Sequence, residues 1–161
     1  MKWIYRAVGL VVVAAAAALA LLVVGLRTKS KPVLSVVRRV NRGFTNPRVM
    51  KTAGTPGAST AVIRHIGRTS GRVYQTPVGP FPVEDGFVIA LPYGAGADWA
   101  RNVLASGTAT LVHDGEEIAV DGPEVVPTGS VVDHLPPSDQ RTLRWFGVTE
   151  CLQVRRAATQ G

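Results

Sequence analysis

The chain has 161 residues, of which 46% are hydrophobic and 18% charged, which is enough apolar material for one domain with a real core. Its formal charge of +7 suits a nucleic-acid-binding protein, but residues 1–51 hold ten Lys or Arg and no Asp or Glu, while residues 52–161 hold eight basic and eleven acidic side chains. The basicity therefore belongs to the amino-terminal segment, where it favours anionic lipid over nucleic acid as a partner.

Residues 7–26, AVGLVVVAAAAALALLVVGL, form an uncharged run whose length, as a helix, matches a hydrocarbon core of ~30 Å. A cleaved signal peptide would have a shorter apolar region, of ~7–15 residues, and a cleavage site of small residues. Here Arg27 and Lys29 follow the run instead. We therefore expect residues 1–26 to be a retained single-pass transmembrane anchor. The basic residues after it predict that the remaining chain lies on the cytoplasmic side of the plasma membrane.

The segment 27–58 is predicted to be a basic juxtamembrane helix followed by a linker. In KPVLSVVRRVNRGF the apolar residues fall on one side of a helix and the arginines largely on the other, which is typical of a helix lying on a membrane surface. Turn-forming residues in AGTPGAS (53–59) then end the linker. The folded domain is expected over residues 59–161.

Alternating and apolar runs in the first half of that domain predict three strands, over 59–66, 73–83 and 87–92. The first two are joined by GRTSGR and the last two by EDG. Proline has no N–H group for a β ladder, so the second strand, which holds three prolines, is expected to be irregular or an edge strand.

The second half continues with a helix over 97–106, a hairpin turning at Asp114-Gly115, a helix over 137–147 and a last strand at ECLQVRR. Short antiparallel strands with few helices are typical of a small, partly open β-barrel. The pattern therefore predicts a mainly β fold with flanking helices.

The titratable residues suggest neither a protein nucleophile nor a metal site. The three histidines, His65, His113 and His134, are far apart in the sequence, and each is expected to be a surface or strand residue. The single cysteine, Cys151, lies in an apolar run and is expected to be a small buried residue rather than a catalytic thiol. No catalytic residue and no metal ligand is therefore assigned. If the protein is an enzyme, a bound cofactor supplies the reactive atoms.

Two clusters carry ligand-binding chemistry. In GRTSGR, glycines permit a tight turn while Arg68, Arg72 and the neighbouring hydroxyls offer donors, so the turn is either a phosphate-binding nest or a solvated hairpin tip. In LPYGAGADWARN (91–102), a glycine loop adjoins Tyr93 and Trp99. That segment either holds a flat ring or places Trp99 in the core.

The pairing of HIGRTSGRVYQTPV with VIALPYGAGADWARNVLASG resembles the deazaflavin-dependent nitroreductase family of actinobacteria, also called the F420H2-dependent quinone reductase family. The resemblance covers about residues 59–155 and is weakest after Pro123. It implies a split β-barrel similar to those that bind flavins, here holding coenzyme F420, a deazaflavin with a phosphate and an oligoglutamate tail.

Carried over position by position, the resemblance implies four groups of cofactor-binding residues, for the phosphate and tail, the neighbouring strand, the ring and the helix that closes the site. They are Arg68, Thr69 and Ser70; Tyr74, Gln75, Thr76, Pro77 and Val78; Ala90, Leu91, Pro92 and Tyr93; and Asp98, Trp99, Arg101 and Asn102. Thr69 stands where many relatives have Lys or Arg, and the tyrosine-bearing tail that shapes the nitroreductase substrate pocket has no match here.

The function expected from these observations is a membrane-anchored oxidoreductase that transfers hydride from reduced F420 to a lipophilic acceptor such as a quinone. Two alternatives stay open. One is a non-catalytic barrel that binds a fatty acyl lipid, and the other is an FMN-dependent enzyme on a related barrel.

Overall fold

The computed structural model describes Thr28, Ser30, Pro32, Val36 and residues 46–158. The predicted anchor at 1–26 lies outside the described residues, as does most of the predicted juxtamembrane helix. Within the described part of the chain, no helix is long and apolar enough to cross a membrane. The chain divides into one unit up to Arg39 and a second from Val40 onward, and the fold below is that of the second unit.

The described residues of this unit form seven strands, four α-helices and one turn of 3-10 helix. In chain order they are α1 (Asn46–Val49), β1 (Ala61–Ile66), β2 (Val73–Val78), β3 (Pro80–Val83), β4 (Gly86–Ala90), α2 (Asp98–Ser106), β5 (Thr108–His113), β6 (Glu116–Pro127), α3 (Thr128–Val131), the 3-10 turn (Val132–His134), α4 (Pro137–Trp145) and β7 (Glu150–Arg156). The mainly β class is confirmed. The short helices α1 and α3 were not predicted.

The strands form one antiparallel sheet in the order β2-β1-β5-β6-β7-β4-β3. Its two edge strands, β2 and β3, are consecutive in the chain and are joined by Gly79 alone. Consecutive Cα atoms are 3.80 Å apart, so one residue can join the two edges only if the sheet curls until they meet at that end. The sheet is accordingly a curled, barrel-like layer.

The prediction of one continuous strand over 73–83 was wrong, because the chain breaks at Gly79 into two edge strands. The expectation of an edge was correct. Pro77 lies in β2, and Pro80 and Pro82 lie in β3. None of the three can donate a backbone hydrogen bond, so neither edge offers a full ladder to the other or to a second chain.

Each face of the sheet packs its own core. The concave face and α2 bury one cluster, whose fully buried members include Ile63, Phe87 and Leu111. The opposite face of the β4–β7 half packs Val88 and Cys151 against the segment that contains α3 and α4. Alternation along each strand produces this division, since successive side chains point to opposite faces. Full burial of each large apolar side chain stabilises the fold by about 1.5–3 kcal/mol.

Candidate functional site

The concave face of the β1–β2 hairpin changes from apolar to polar towards its tip. Antiparallel register places residues directly opposite one another, with side chains on the same face. From the core outward, the inward-facing pairs are Ala61–Val78, Ile63–Thr76 and His65–Tyr74. The polar end of this face forms the floor of the candidate site.

The turn that joins β1 to β2 needs glycine at both of its ends, for different reasons. Gly71 has φ of +65°, a backbone conformation that disfavours residues with a Cβ atom. A Cβ on Gly67 would lie 2.6 Å from Cε2 of Tyr74 and 2.5 Å from Oγ of Ser70. Gly67 thus lets the tyrosine ring approach the backbone, and the N–H of Gly67 donates to the carbonyl of Arg72 at 2.8 Å to close the turn.

Helix α2 supplies the second wall of the site. It begins at Asp98, whose carboxylate suits the positive end of the helix dipole, and it ends before Gly107, which is left-handed. Ala100 and Val103 are buried in the concave-face core. Asp98 and Asn102 are four residues apart and both contact Arg68 in the β1–β2 turn, so this side of the helix faces the hairpin tip.

Arg68 ties the turn to α2. Its NH1 group donates to Oδ1 of Asn102 at 2.7 Å and to the carbonyl of Asp98 at 3.4 Å. Its NH2 group forms an ion pair with Oδ1 of Asp98 at 3.2 Å, and its backbone N–H donates to Asn102 Oδ1 at 3.2 Å. The Arg68 side chain remains 29% exposed. The Asp98 carboxylate therefore offsets part of the positive charge of Arg68.

A hydrogen-bond chain continues from Asn102 into the sheet. Because Oδ1 of Asn102 accepts both bonds from Arg68, its Nδ2 group donates, and Nδ2 lies 3.2 Å from Nδ1 of His65. Nδ1 of His65 is then the acceptor, so the neutral imidazole carries its proton on Nε2. Nε2 in turn donates to Oγ1 of Thr76 at 3.2 Å.

The surroundings of His65 keep it neutral. The residue is 5% exposed, and burial lowers the pKa of its imidazole below the ordinary value of 6.5. The ring of Tyr74 stacks on the imidazole with centroids 5.9 Å apart. The hydroxyl of Tyr74 lies 3.1 Å from Oγ of Ser70, which ties the stacked pair back to the turn.

These groups line a half-open groove of about 510 Å³, within the ~300–1,000 Å³ typical of small-molecule sites. Eight of the residues assigned from the family resemblance line it. They are Arg68, Thr69, Ser70, Tyr74, Gln75, Thr76, Asp98 and Asn102. Positions from two separated segments of the sequence, the β1–β2 hairpin and α2, thus meet at one place.

The other eight assigned residues do not line this groove. Val78 and Leu91 are buried in the concave-face core, and Trp99 packs half-buried against that core. The remaining five are Pro77 in β2, Ala90 at the end of β4, Pro92 and Tyr93 in the following loop, and exposed Arg101 on α2.

The groove is also lined by Gly67 of the GRTSGR turn and by His65, which sequence reasoning did not assign to a site. His65 lies in a strand, one of the two alternatives considered, but it is buried, so the surface alternative was wrong. Its partner Asn102 is 37 residues away in the chain. The sequence signal for His65 was a polar residue two positions after Ile63, where strand alternation places it on the same inward face.

Two further groups lie away from the groove. Cys151 is a free, buried thiol in the core of the opposite face, and burial raises its pKa. A buried thiol of this kind is chemically inert. In the described ranges, His, Cys, Asp and Glu side chains nowhere form a group of three or more that could hold a metal ion.

No protein-family profile and no curated protein sequence matches the chain. Solved structures similar to it include HutZ, a heme storage protein from Vibrio cholerae, with a TM-score of 0.48 and 8% identity over 70% of this chain and 89% of that one. A conserved hypothetical protein of Mycobacterium tuberculosis, Rv2991, has a TM-score of 0.47 and 13% identity over 65% and 75% of the two chains. Atu2129 of Agrobacterium tumefaciens, of unknown function, has a TM-score of 0.43 and 14% identity over 73% and 56%.

Proposed function

We propose that the groove binds the anionic end of coenzyme F420 and that the protein is an F420H2-dependent reductase. The observation that carries the proposal is the convergence of the GRTSGR turn with Asp98 and Asn102 of α2 around one polar groove. Arginine and hydroxyl donors in a water-accessible cleft are the groups that hold a phosphate or carboxylate.

The donors of the turn fit such an anion. In the part of the chain that the structure describes, the amide N–H groups of Thr69 and Ser70 and the hydroxyl of Thr69 have no hydrogen-bond partner. The Arg68 guanidinium, with five N–H donors, is held beside them by α2. Arg72, at the other end of the turn, is exposed. Together these groups would hold an anion with donors that are already in place.

The ring-binding part of the proposal rests on the resemblance alone, through the positions in 90–93 and 99–101. When bound in its reduced form, the deazaflavin supplies a hydride for the acceptor. The chain's own residues bind and orient it, and a proton comes from solvent. The predicted anchor at 1–26 would place the site at the membrane surface on the cytoplasmic side, which is why a lipophilic quinone is the proposed acceptor.

The packing of the barrel disfavours the lipid-binding alternative. A fatty acyl chain inside the barrel would need the space that Ile63, Phe87 and Leu111 fill, and each of the three is 0% exposed. The polar groove instead suits a charged ligand. FMN also carries a phosphate and would use the same turn, so it remains the competing cofactor and must be separated by experiment.

The test is calorimetric titration of the full-length protein in detergent with F420, FMN, inorganic phosphate and a fatty acid. We expect binding of F420 to be tightest and turnover of F420H2 with a quinone to follow. Arg64→Ala is the matched control, because Arg64 lies on the outer face of β1, is 36% exposed and pairs with Glu117 at 2.6 Å, away from the groove. Tighter binding of FMN or fatty acid than of F420 would overturn the proposal.

A further inference from the structure

The hydrogen bonds from Arg68 through Asn102 and His65 to Thr76 all run from donor to acceptor in one direction. Arg68 determines that direction. Two donors of Arg68 point at Oδ1 of Asn102. If the Asn102 amide were rotated by 180°, its NH2 group would face those two donors, and the Arg68 donors would have no acceptor there. The amide therefore presents Nδ2 to His65, and the imidazole must present an unprotonated Nδ1. Each step allows one orientation only.

The last member of this chain is Thr76. Its hydroxyl oxygen accepts from Nε2–H of His65, so one lone pair is occupied and the hydroxyl hydrogen must point elsewhere. Thr76 lines the groove, on the same inward face as His65 and Tyr74. Because Thr76 borders this polar groove, its hydroxyl hydrogen can point into the groove and donate to a bound ligand.

We infer that His65 is a positioning residue that turns the Thr76 hydroxyl into a hydrogen-bond donor towards the ligand, and that Asn102 and Arg68 hold His65 in that state. The inference rests on the proposed function and deepens it. It assigns the ligand a second requirement besides its charge, namely a hydrogen-bond acceptor such as a ring carbonyl oxygen or ring nitrogen.

The position of Thr76 says which part of the ligand carries this acceptor. Strand β2 runs from the turn into the sheet, and Thr76 is three residues beyond its first residue, Val73. At ~3.3 Å per residue, Thr76 lies roughly 10 Å along the strand from the turn. The acceptor is therefore on the uncharged part of the ligand, remote from the anionic group that contacts the turn. Inorganic phosphate is too small to reach both ends.

Binding measurements on Thr76 variants test the donor. Thr76→Val keeps the shape and removes the hydroxyl, and should weaken F420 binding about five- to tenfold while leaving inorganic phosphate binding unchanged. Thr76→Ser keeps the hydroxyl and should bind within about twofold of wild type. Equal F420 affinity of wild type and Thr76→Val would overturn the inference.

Variants of His65 separate positioning from packing. His65→Gln keeps an N–H donor near Thr76 and should retain most of the F420 affinity, whereas His65→Leu should bind as weakly as Thr76→Val. If His65→Leu binds F420 as tightly as wild type while folded by circular dichroism, His65 positions nothing.

The imidazole itself gives a readout that does not depend on F420. Nitrogen-15 NMR of the full chain should find the proton of His65 on Nε2, and Asn102→Asp should move it to Nδ1, because a carboxylate can only accept. A wild-type proton on Nδ1 would overturn the inference. If wild type binds no F420, the proposed function fails, and the NMR result alone then supports or overturns the tautomer that the inference requires.

Discussion

Two hairpin turns of neighbouring strands use their polar groups in opposite ways. The β5–β6 turn is Asp114-Gly115, with φ of 52° and 83°, the two-residue geometry that suits a twisted hairpin. Oδ1 of Asp114 accepts from the N–H of Gly57 at 2.7 Å, and the N–H of Gly115 donates to the carbonyl of Gly54 at 2.7 Å. Its groups are bonded to the preceding segment of the chain.

The β1–β2 turn is wider and leaves donors over. Arg68 bonds to α2, but the amides of Thr69 and Ser70 have no partner within the described residues, and Arg72 is exposed. A turn whose polar groups are hydrogen-bonded within the protein fixes the register of two strands. A turn whose N–H donors have no partner in the protein can donate them to a ligand. The bonds of the tight turn give it a structural role, and the binding role of the wide turn is the one proposed above.

Removing the cation of the wide turn should have the largest effect. A charge-assisted hydrogen bond contributes roughly 1.5–3 kcal/mol, so Arg68→Ala should weaken F420 binding about ten- to a hundredfold. Thr69→Lys should tighten it, since it adds a second cation next to Arg68 in the turn. Both effects should shrink as salt rises. Calorimetric titration at two salt concentrations measures them, with Arg64→Ala as control, and an Arg68→Ala affinity equal to wild type would remove the binding role from this turn.

Damage to the tight turn should lower stability and leave binding unchanged. The turn holds residue 115 in a left-handed conformation, with φ of 83°, which costs a residue with a Cβ roughly 1–2 kcal/mol. The added Cβ would also lie 3.1 Å from Cγ of Pro56. Gly115→Ala should therefore reduce the free energy of unfolding by about that amount. Gly129→Ala is the control, because its Cβ meets nothing within 4 Å. Chemical denaturation compares the stabilities of the two variants. A loss of F420 affinity in Gly115→Ala would contradict a purely structural role for the tight turn.

The tight turn could be predicted from sequence and the wide one only in part. Asp-Gly between alternating strands specifies its own geometry, so the β5–β6 hairpin was expected, as was an edge strand from its prolines. The barrel closure at Gly79 was missed, since it depends on sheet order, which no local pattern encodes. His65 was missed for a similar reason. Its role depends on Asn102, 37 residues away, and on an orientation imposed by Arg68.

The stability of the wide turn's surroundings should depend on pH through His65. Burial holds the pKa of its imidazole below 6.5 in the folded state, so the unfolded chain binds this proton more readily. The free energy of unfolding should therefore be highest above pH 6.5 and fall as pH drops below it, towards the folded-state pKa. His65→Gln should lose this component. Denaturant titrations across the range would contradict the account if both proteins showed the same slope.

Neutralising Asp98 should have the smallest effect, and it tests directly how charge contributes to the proposed anion site. The Asp98 carboxylate pairs with Arg68 at 3.2 Å and is 67% exposed, so it offsets part of the Arg68 charge through a solvent-screened interaction. Asp98→Asn keeps an oxygen for Arg68 and removes the negative charge. F420 affinity should rise about two- to fivefold at low salt, and the gain should disappear at high salt.

Glu117→Gln is the matched control for that measurement. Glu117 is 60% exposed and pairs with Arg64 on the outer face of the sheet, so it makes the same change in net charge outside the groove. A gain in Asp98→Asn that Glu117→Gln does not share isolates the local field at the turn. Weaker binding in Asp98→Asn would mean that the carboxylate acts chiefly by holding Arg68 in position, and the wide turn would then depend on α2 for its geometry more than for its charge.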